Sequence, residues 1–217
     1  MPPFMPPIML PSRQGAHRRQ RTAMALALLA LLALLPAAAA AHPHVFIDAV
    51  TTFQFDRKRV TGVELRWHFD DLYSAVLIRD FDANRDGVFD PAEVVRVQAG
   101  AFAALKSSGY FTHLFVDKQQ RAIETVREFH AYILGGRVFY QFVIAVNPAV
   151  DPVKQRLALG VFDPGYYVAF DMEPPRPVLF SGMARPSCQY QLYLDEEHPI
   201  YFGAVSPHTI RLDCIDG

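Results

Sequence analysis

Twelve consecutive residues near the middle of the chain have the types and the spacing of a calcium ligand set. They read Asp82-Ala83-Asn84-Arg85-Asp86-Gly87-Val88-Phe89-Asp90-Pro91-Ala92-Glu93, and they match D-x-[DN]-x-[DN]-G-x5-E at every specified position. Calcium is a hard cation that takes roughly six to eight oxygens at roughly 2.3–2.6 Å. Asp82, Asn84 and Asp86 stand two apart and offer side-chain oxygens from a curling chain. Val88 offers its carbonyl, Asp90 reaches through a water, and Glu93 closes the shell with two oxygens. Gly87 permits the sharp reversal between them, and Phe89 is the apolar residue that anchors the loop to a core. Asp90, Pro91 and Glu93 also read as the N-cap, first position and capping-box partner of a following helix. The plain alternatives are a helix–helix turn that holds no metal and an ion that only staples the fold. One such loop is present, and an exported protein needs a dissociation constant of only about 10⁻⁴–10⁻³ M. A structural ion is therefore expected rather than a sensor.

A second candidate is His42-Pro43-His44. Cleavage after Ala41 frees the α-amine of His42 beside two imidazoles, and imidazole suits zinc, nickel and copper. Pro43 has no backbone N–H to give up, which handicaps a chelate through backbone nitrogens. A brace from the amine and ring of His42 remains, completed by His44 or by a distant group. His68, His113, His130, His198, His208, Asp48, Asp70 and Asp71 are the candidates. The alternative is a solvated terminus with incidental histidines. No P-loop, GxGxxG, CxxC or nucleophile elbow is present, so an enzyme is not expected.

The elements that must position these residues are mostly strands. Residues 45–55 are rich in β-branched and aromatic side chains. Residues 60–69 alternate, with Val63, Leu65 and Trp67 on one face and Glu64, Arg66 and His68 on the other. The polar run 56–59 makes the two a hairpin. A second hairpin runs from Ile123 to Val146 around Gly135-Gly136. Residues 157–162 and 166–170 read as a third pair around Asp163-Pro164-Gly165, and 188–194 and 209–214 as weaker strands. Residues 71–82 and 91–107 instead carry apolar side chains at spacings of three and four, the helix period. The sequence thus predicts an α+β fold. It is a single, mostly antiparallel β domain over 42–217 with an inserted EF-hand-like helix–loop–helix over 70–108.

The first 41 residues read as a signal peptide. Arg13, Arg18, Arg19 and Arg21 form a basic head without an acid, Met24 to Leu35 contain only Met, Ala and Leu, and Pro36 and five alanines follow. Left uncleaved, the segment is just long enough to anchor the protein in a membrane; cleaved, it leaves no span. Over the full chain 51 % of residues are apolar, 20 % are charged and the net charge is −1. That is ample material for a core and gives no excess for nucleic acid. Removing residues 1–41 leaves 17 basic and 22 acidic side chains, a net of −5. A mildly acidic body suits a metal cation better than a polyanion. In an oxidising compartment, the periplasm, Cys188 and Cys214 are expected to form a disulfide.

Five segments together resemble one family. They are His42-Pro43-His44-Val45-Phe46-Ile47-Asp48, Trp67-His68-Phe69-Asp70-Asp71-Leu72-Tyr73-Ser74, the loop 82–93, Gly109-Tyr110-Phe111, and Phe162-Asp163-Pro164-Gly165-Tyr166-Tyr167-Val168-Ala169-Phe170. They are similar to the DUF1007 family of exported bacterial proteins, often labelled as the periplasmic component of an uncharacterised ABC-type transport system. Phe46 stands where that family usually has Trp, and Gly165 where Thr or Ser is common. The resemblance implies a transition-metal role, with zinc or nickel at His42 and His44, beside a membrane metal transporter or another envelope protein. The rival expectation is a calcium-stabilised interaction module without a transition metal.

Overall fold

The computed structural model describes residues 24, 43–172 and 175–216. The expected signal peptide, Met24 apart, and His42 lie outside the described residues. In chain order the body contains β1 (Val45–Asp56), β2 (Arg59–Phe69), α1 (Asp71–Phe81), α2 (Pro91–Val97), β3 (Thr112–Val116), β4 (Gln119–Arg121) and β5 (Val126–Leu134). These are followed by β6 (Arg137–Val150), β7 (Leu157–Val161), β8 (Val168–Met172), β9 (Val178–Ser181), β10 (Ser187–Leu194) and β11 (His208–Ile215).

One sheet has the order β5-β6-β2-β1, and β8 and β9 both run parallel to β1 along its free side. The other has the order β10-β11-β7-β3-β4 and is antiparallel throughout. The alternation in residues 60–69 has its expected consequence: Val63, Leu65, Trp67 and Phe69 are buried, while Glu64, Arg66 and His68 are half-exposed. Leu114, Val116, Leu157, Leu159, Ile210 and Leu212 of the second sheet join the same core. Trp67, fully buried, meets Phe142 edge-on at 4.9 Å and Phe170 at 5.2 Å between ring centroids. Such pairs add about 0.5–1.5 kcal/mol beyond their burial.

These two sheets overturn the α+β expectation. The molecule is a β-rich sandwich, with strands supplying both layers of the core. The helices do not form an inserted helix–loop–helix unit. They are eleven and seven residues long and lie against β6 and β5 of the first sheet. The helical pattern over 91–107 holds as α-helix only to Val97. A π-helical turn, Gln98–Phe102, and a segment Ala103–Phe111 that begins as 3₁₀ helix and is kinked at Ser108, Gly109 and Tyr110 follow. A second correction concerns residues 157–170. The strands around Asp163-Pro164-Gly165 do not pair: β7 lies between β11 and β3, and β8 lies beside β1 in the other sheet. Asp163 explains the crossing, because its Oδ1 accepts from Gly165 N and its Oδ2 from Tyr167 N and Val168 N. The carboxylate caps a turn that leads out of one sheet into the other.

Cys188 and Cys214 form a disulfide across directly paired positions of β10 and β11. Such a bond fits an exported protein. No helix among the described residues is long and apolar enough to cross a membrane.

Candidate cation site

The loop 82–93 joins two helix ends, and its first and ninth residues are caps. Asp82 is the C-cap of α1. Asp90 is the N-cap of α2, where its Oδ1 accepts from Glu93 N at 2.8 Å while Glu93 Oε2 accepts from Asp90 N at 3.0 Å. This is the capping box expected from the sequence. Two side chains, one from its N-cap and one from its first turn, hold the position of α1. Asp70, the N-cap, accepts from Tyr73 N at 2.9 Å and from Phe46 N of β1 at 2.8 Å. Ser74, fully buried, donates to Phe69 O and accepts from Val138 N of β6 at 3.0 Å.

Within the loop the side chains curl the backbone. Asp82 Oδ2 accepts from Gly87 N at 3.0 Å, Asn84 Oδ1 from Asp86 N at 3.0 Å, and Asp86 Oδ1 from Val88 N at 2.9 Å. Asn84 Nδ2 also donates to Asp86 Oδ2 at 2.9 Å. Arg85 at φ 61° and Gly87 at φ 80° make the reversal; the second angle is the one that calls for glycine. Phe89 is buried in the common core and Val88 is exposed. Glu93 is 1 % exposed, its Oε1 accepting from Ala83 N at 2.8 Å and lying 3.4 Å from the Arg96 guanidinium.

Asp82 is only 5 % exposed, and its Oδ1 is buried without a hydrogen-bond partner. Among the described residues it is the one carboxylate oxygen in that condition; the others are the hydroxyls of Thr51 and Tyr140 and the indole nitrogen of Trp67. A buried unpartnered charged oxygen is costly. The C-terminal end of α1 raises that cost, because the helix dipole is negative there. A cation beside Asp82 removes both penalties, so the donor chemistry fits a hard divalent ion. The carboxylates of the loop are turned to backbone N–H groups. No three His, Cys, Asp or Glu side chains among the described residues stand at metal-binding spacing.

The histidines are dispersed. His44 is exposed at the start of the body, its N–H donating to Tyr167 O at 2.9 Å and its ring 4.7 Å from that of Tyr167. His68 faces Asp48 at 4.0 Å and stacks on Phe139 at 4.1 Å. His113 is closed to metal: one ring nitrogen bonds Phe162 O at 3.0 Å and the other Gln120 Nε2 at 3.1 Å. Asp70 serves as cap and clamp, and Asp71 pairs with Arg137 at 3.1 Å. The sequence reading missed the Asp195–His198 pair, in which a buried carboxylate accepts from the imidazole at 2.9 Å. The only signal in the sequence is an Asp and a His three apart.

A family model described as protein of unknown function (DUF1007) matches residues 27–199. An uncharacterised protein of Haemophilus influenzae is 28 % identical over 155 residues, covering 70 % of this chain and 72 % of that protein. An uncharacterised 15.5 kDa protein in the trpE 3′ region of Spirochaeta aurantia is 30 % identical over 102 residues, covering 47 % of this chain and 72 % of that protein. No solved structure matches the chain.

Proposed function

The chain belongs to the DUF1007 family, and we propose that it is a non-catalytic metal-binding protein of the periplasm whose loop 82–93 holds a structural calcium ion. The bare, buried Oδ1 of Asp82 carries this reading. Asp82, Asn84, Asp86, the carbonyl of Val88, Asp90 through a water, and Glu93 are the ligands. When bound, the ion supplies a fixed positive charge between the C-terminal end of α1 and the start of α2. At a dissociation constant near 10⁻⁴ M, about 2 mM calcium stabilises by about 1.8 kcal/mol, or roughly 4–6 °C in melting temperature. Thermal melts in calcium and in chelator test this. Asp82→Asn abolishes the rise without lowering the melting temperature in chelator. A parent protein that melts at one temperature in both buffers refutes the site.

A second reading adds a transition metal, zinc or nickel, at His42 and His44, in an accessory of a membrane metal transporter. It is favoured by the fixed place of His44, whose backbone is tied to Tyr167, at the third position of the chain cleaved after Ala41. Zinc, nickel and copper titrations of the processed protein are expected to show a site that is lost in the His42→Ala, His44→Ala double variant. Equal affinity in the two proteins leaves the calcium-stabilised interaction module, with another envelope protein as partner, as the better account.

A further inference from the structure

A sheet edge offers unpaired N–H and C=O groups to any passing strand, and soluble proteins blunt their edges with charge, shortness, irregularity or proline. Three of the edges here are treated that way. β5 carries Arg127 and Glu128, and its register with β6 breaks between Arg127 and His130. β8 and β9 are five and four residues long. β4 is three residues long and includes Arg121.

β10 has none of these devices. Its eight residues, Ser-Cys-Gln-Tyr-Gln-Leu-Tyr-Leu, contain no proline and no acidic or basic side chain. It pairs with β11 without a register break from Ser187 to Leu194, and among the described residues β11 is its sole strand neighbour. Alternate residues therefore turn their N–H and C=O groups away from the sheet. The side chains are also unfinished. Leu192 and Leu194 point to the same side as Cys188 and Tyr190, which pack partly against the core, yet they are 39 % and 56 % exposed.

We propose that β10 is a dimerisation edge, which pairs antiparallel with β10 of a second copy to make one continuous sheet of ten strands. Two observations select a second copy as the occupant. The strand has no acidic or basic side chain of its own, and the cation nearest the axis, the Arg211 guanidinium that donates to Gln191 Oε1, is paired with Asp213 of its own β11, so identical strands meet without an unpaired like charge. It is also self-complementary in register. A two-fold axis at Gln191 sets Tyr190 opposite the partner subunit's Leu192 and Cys188 opposite the partner subunit's Leu194. Each exposed leucine then meets the half-buried end of the other strand, on the same face of the sheet. Backbone bonds supply the affinity and the alternating side chains the specificity.

The test is sedimentation equilibrium on the chain expressed from its own start and purified as the cell processes it. A monomer–dimer equilibrium is expected, weakened at least about a hundredfold by Leu192→Lys with Leu194→Lys, with the melting temperature of the isolated subunit little changed. Gln191→Cys, at the axis, gives a disulfide-linked dimer under mild oxidation, and Gln189→Cys does not. A chain that is monomeric through the high micromolar range overturns the proposal. So does a dimer that survives the lysine pair, or equal cross-linking at positions 189 and 191.

Discussion

A buried carboxylate and a half-buried imidazole show how differently this fold treats its ionisable residues. Asp82 has one oxygen satisfied and one bare, an arrangement that asks for a cation. His113 has nothing left to offer. Its ring lies flat on Phe162, 3.8 Å between centroids, and both nitrogens are engaged. Donation to the Phe162 carbonyl fixes the proton on Nε2, so Nδ1 accepts from Gln120. Burial pushes the imidazole pKa below its ordinary 6.5, and the carbonyl bond opposes that only in part. The unfolded chain therefore binds a proton at a pH where the folded chain does not. Stability from this residue is full above pH 6.5 and falls as the pH drops below it, until the folded imidazole also titrates. His113→Gln keeps a donor for Phe162 O and removes the titration. Urea melts between pH 7.5 and 5 should show a shallower acid loss in the variant; parallel pH profiles would exclude His113 as its source.

At the scale of elements, what the sequence discloses is what short-range chemistry decides. The β1–β2 hairpin was legible from the polar run between two strand-like segments and the β5–β6 hairpin from Gly135-Gly136; both connections are two residues long, with Arg57 at φ 55° and the glycines at 61° and 81°. The capping box at Asp90 was legible from the spacing of Asp90, Pro91 and Glu93. The partners of β7 and β8 were not. Asp163-Pro164-Gly165 has the composition of a hairpin turn, and only the three N–H groups gathered by Asp163 reveal a crossing between sheets. The helices misled the fold class because a period of three and four reports an apolar face, not whether helices form a layer of the core. One of the two side chains that hold α1 is a hydroxyl. Ser74 bridges Phe69 O and Val138 N while fully buried, so Ser74→Ala strands an N–H of β6. A loss of about 1–3 kcal/mol in urea unfolding is expected, and a loss below about 0.5 kcal/mol would mean that α1 is held without this hydroxyl, by its apolar face and the Asp70 clamp.

On the scale of the whole molecule, the proposed ion and the proposed dimer edge lie on different parts of the sandwich. The loop hangs from α1 and α2, which contact β6 and β5 of the first sheet. β10 ends the second sheet and is stapled to β11 by Cys188–Cys214. Between them lies the most deeply buried part of the body, where Val63, Leu65 and Trp67 of β2 and Phe142 and Ile144 of β6 are wholly inaccessible. Opening free energies scale with such burial, so amides of β2 and β6 should exchange with solvent only through global unfolding. Calcium acts locally unless that rigid centre has two packings, and a close-packed core with one arrangement transmits little. Hydrogen exchange with and without calcium should therefore show slowing over 82–93 and the adjoining helix ends, and unchanged rates in β10 and β11. Addition of calcium should leave the monomer–dimer equilibrium constant unaltered, as reciprocity requires of uncoupled sites. Slowed exchange in β10 on calcium addition, at a chain concentration where the protein stays monomeric, would show that the two sheets move together and that the centre is not the inert spacer its packing implies.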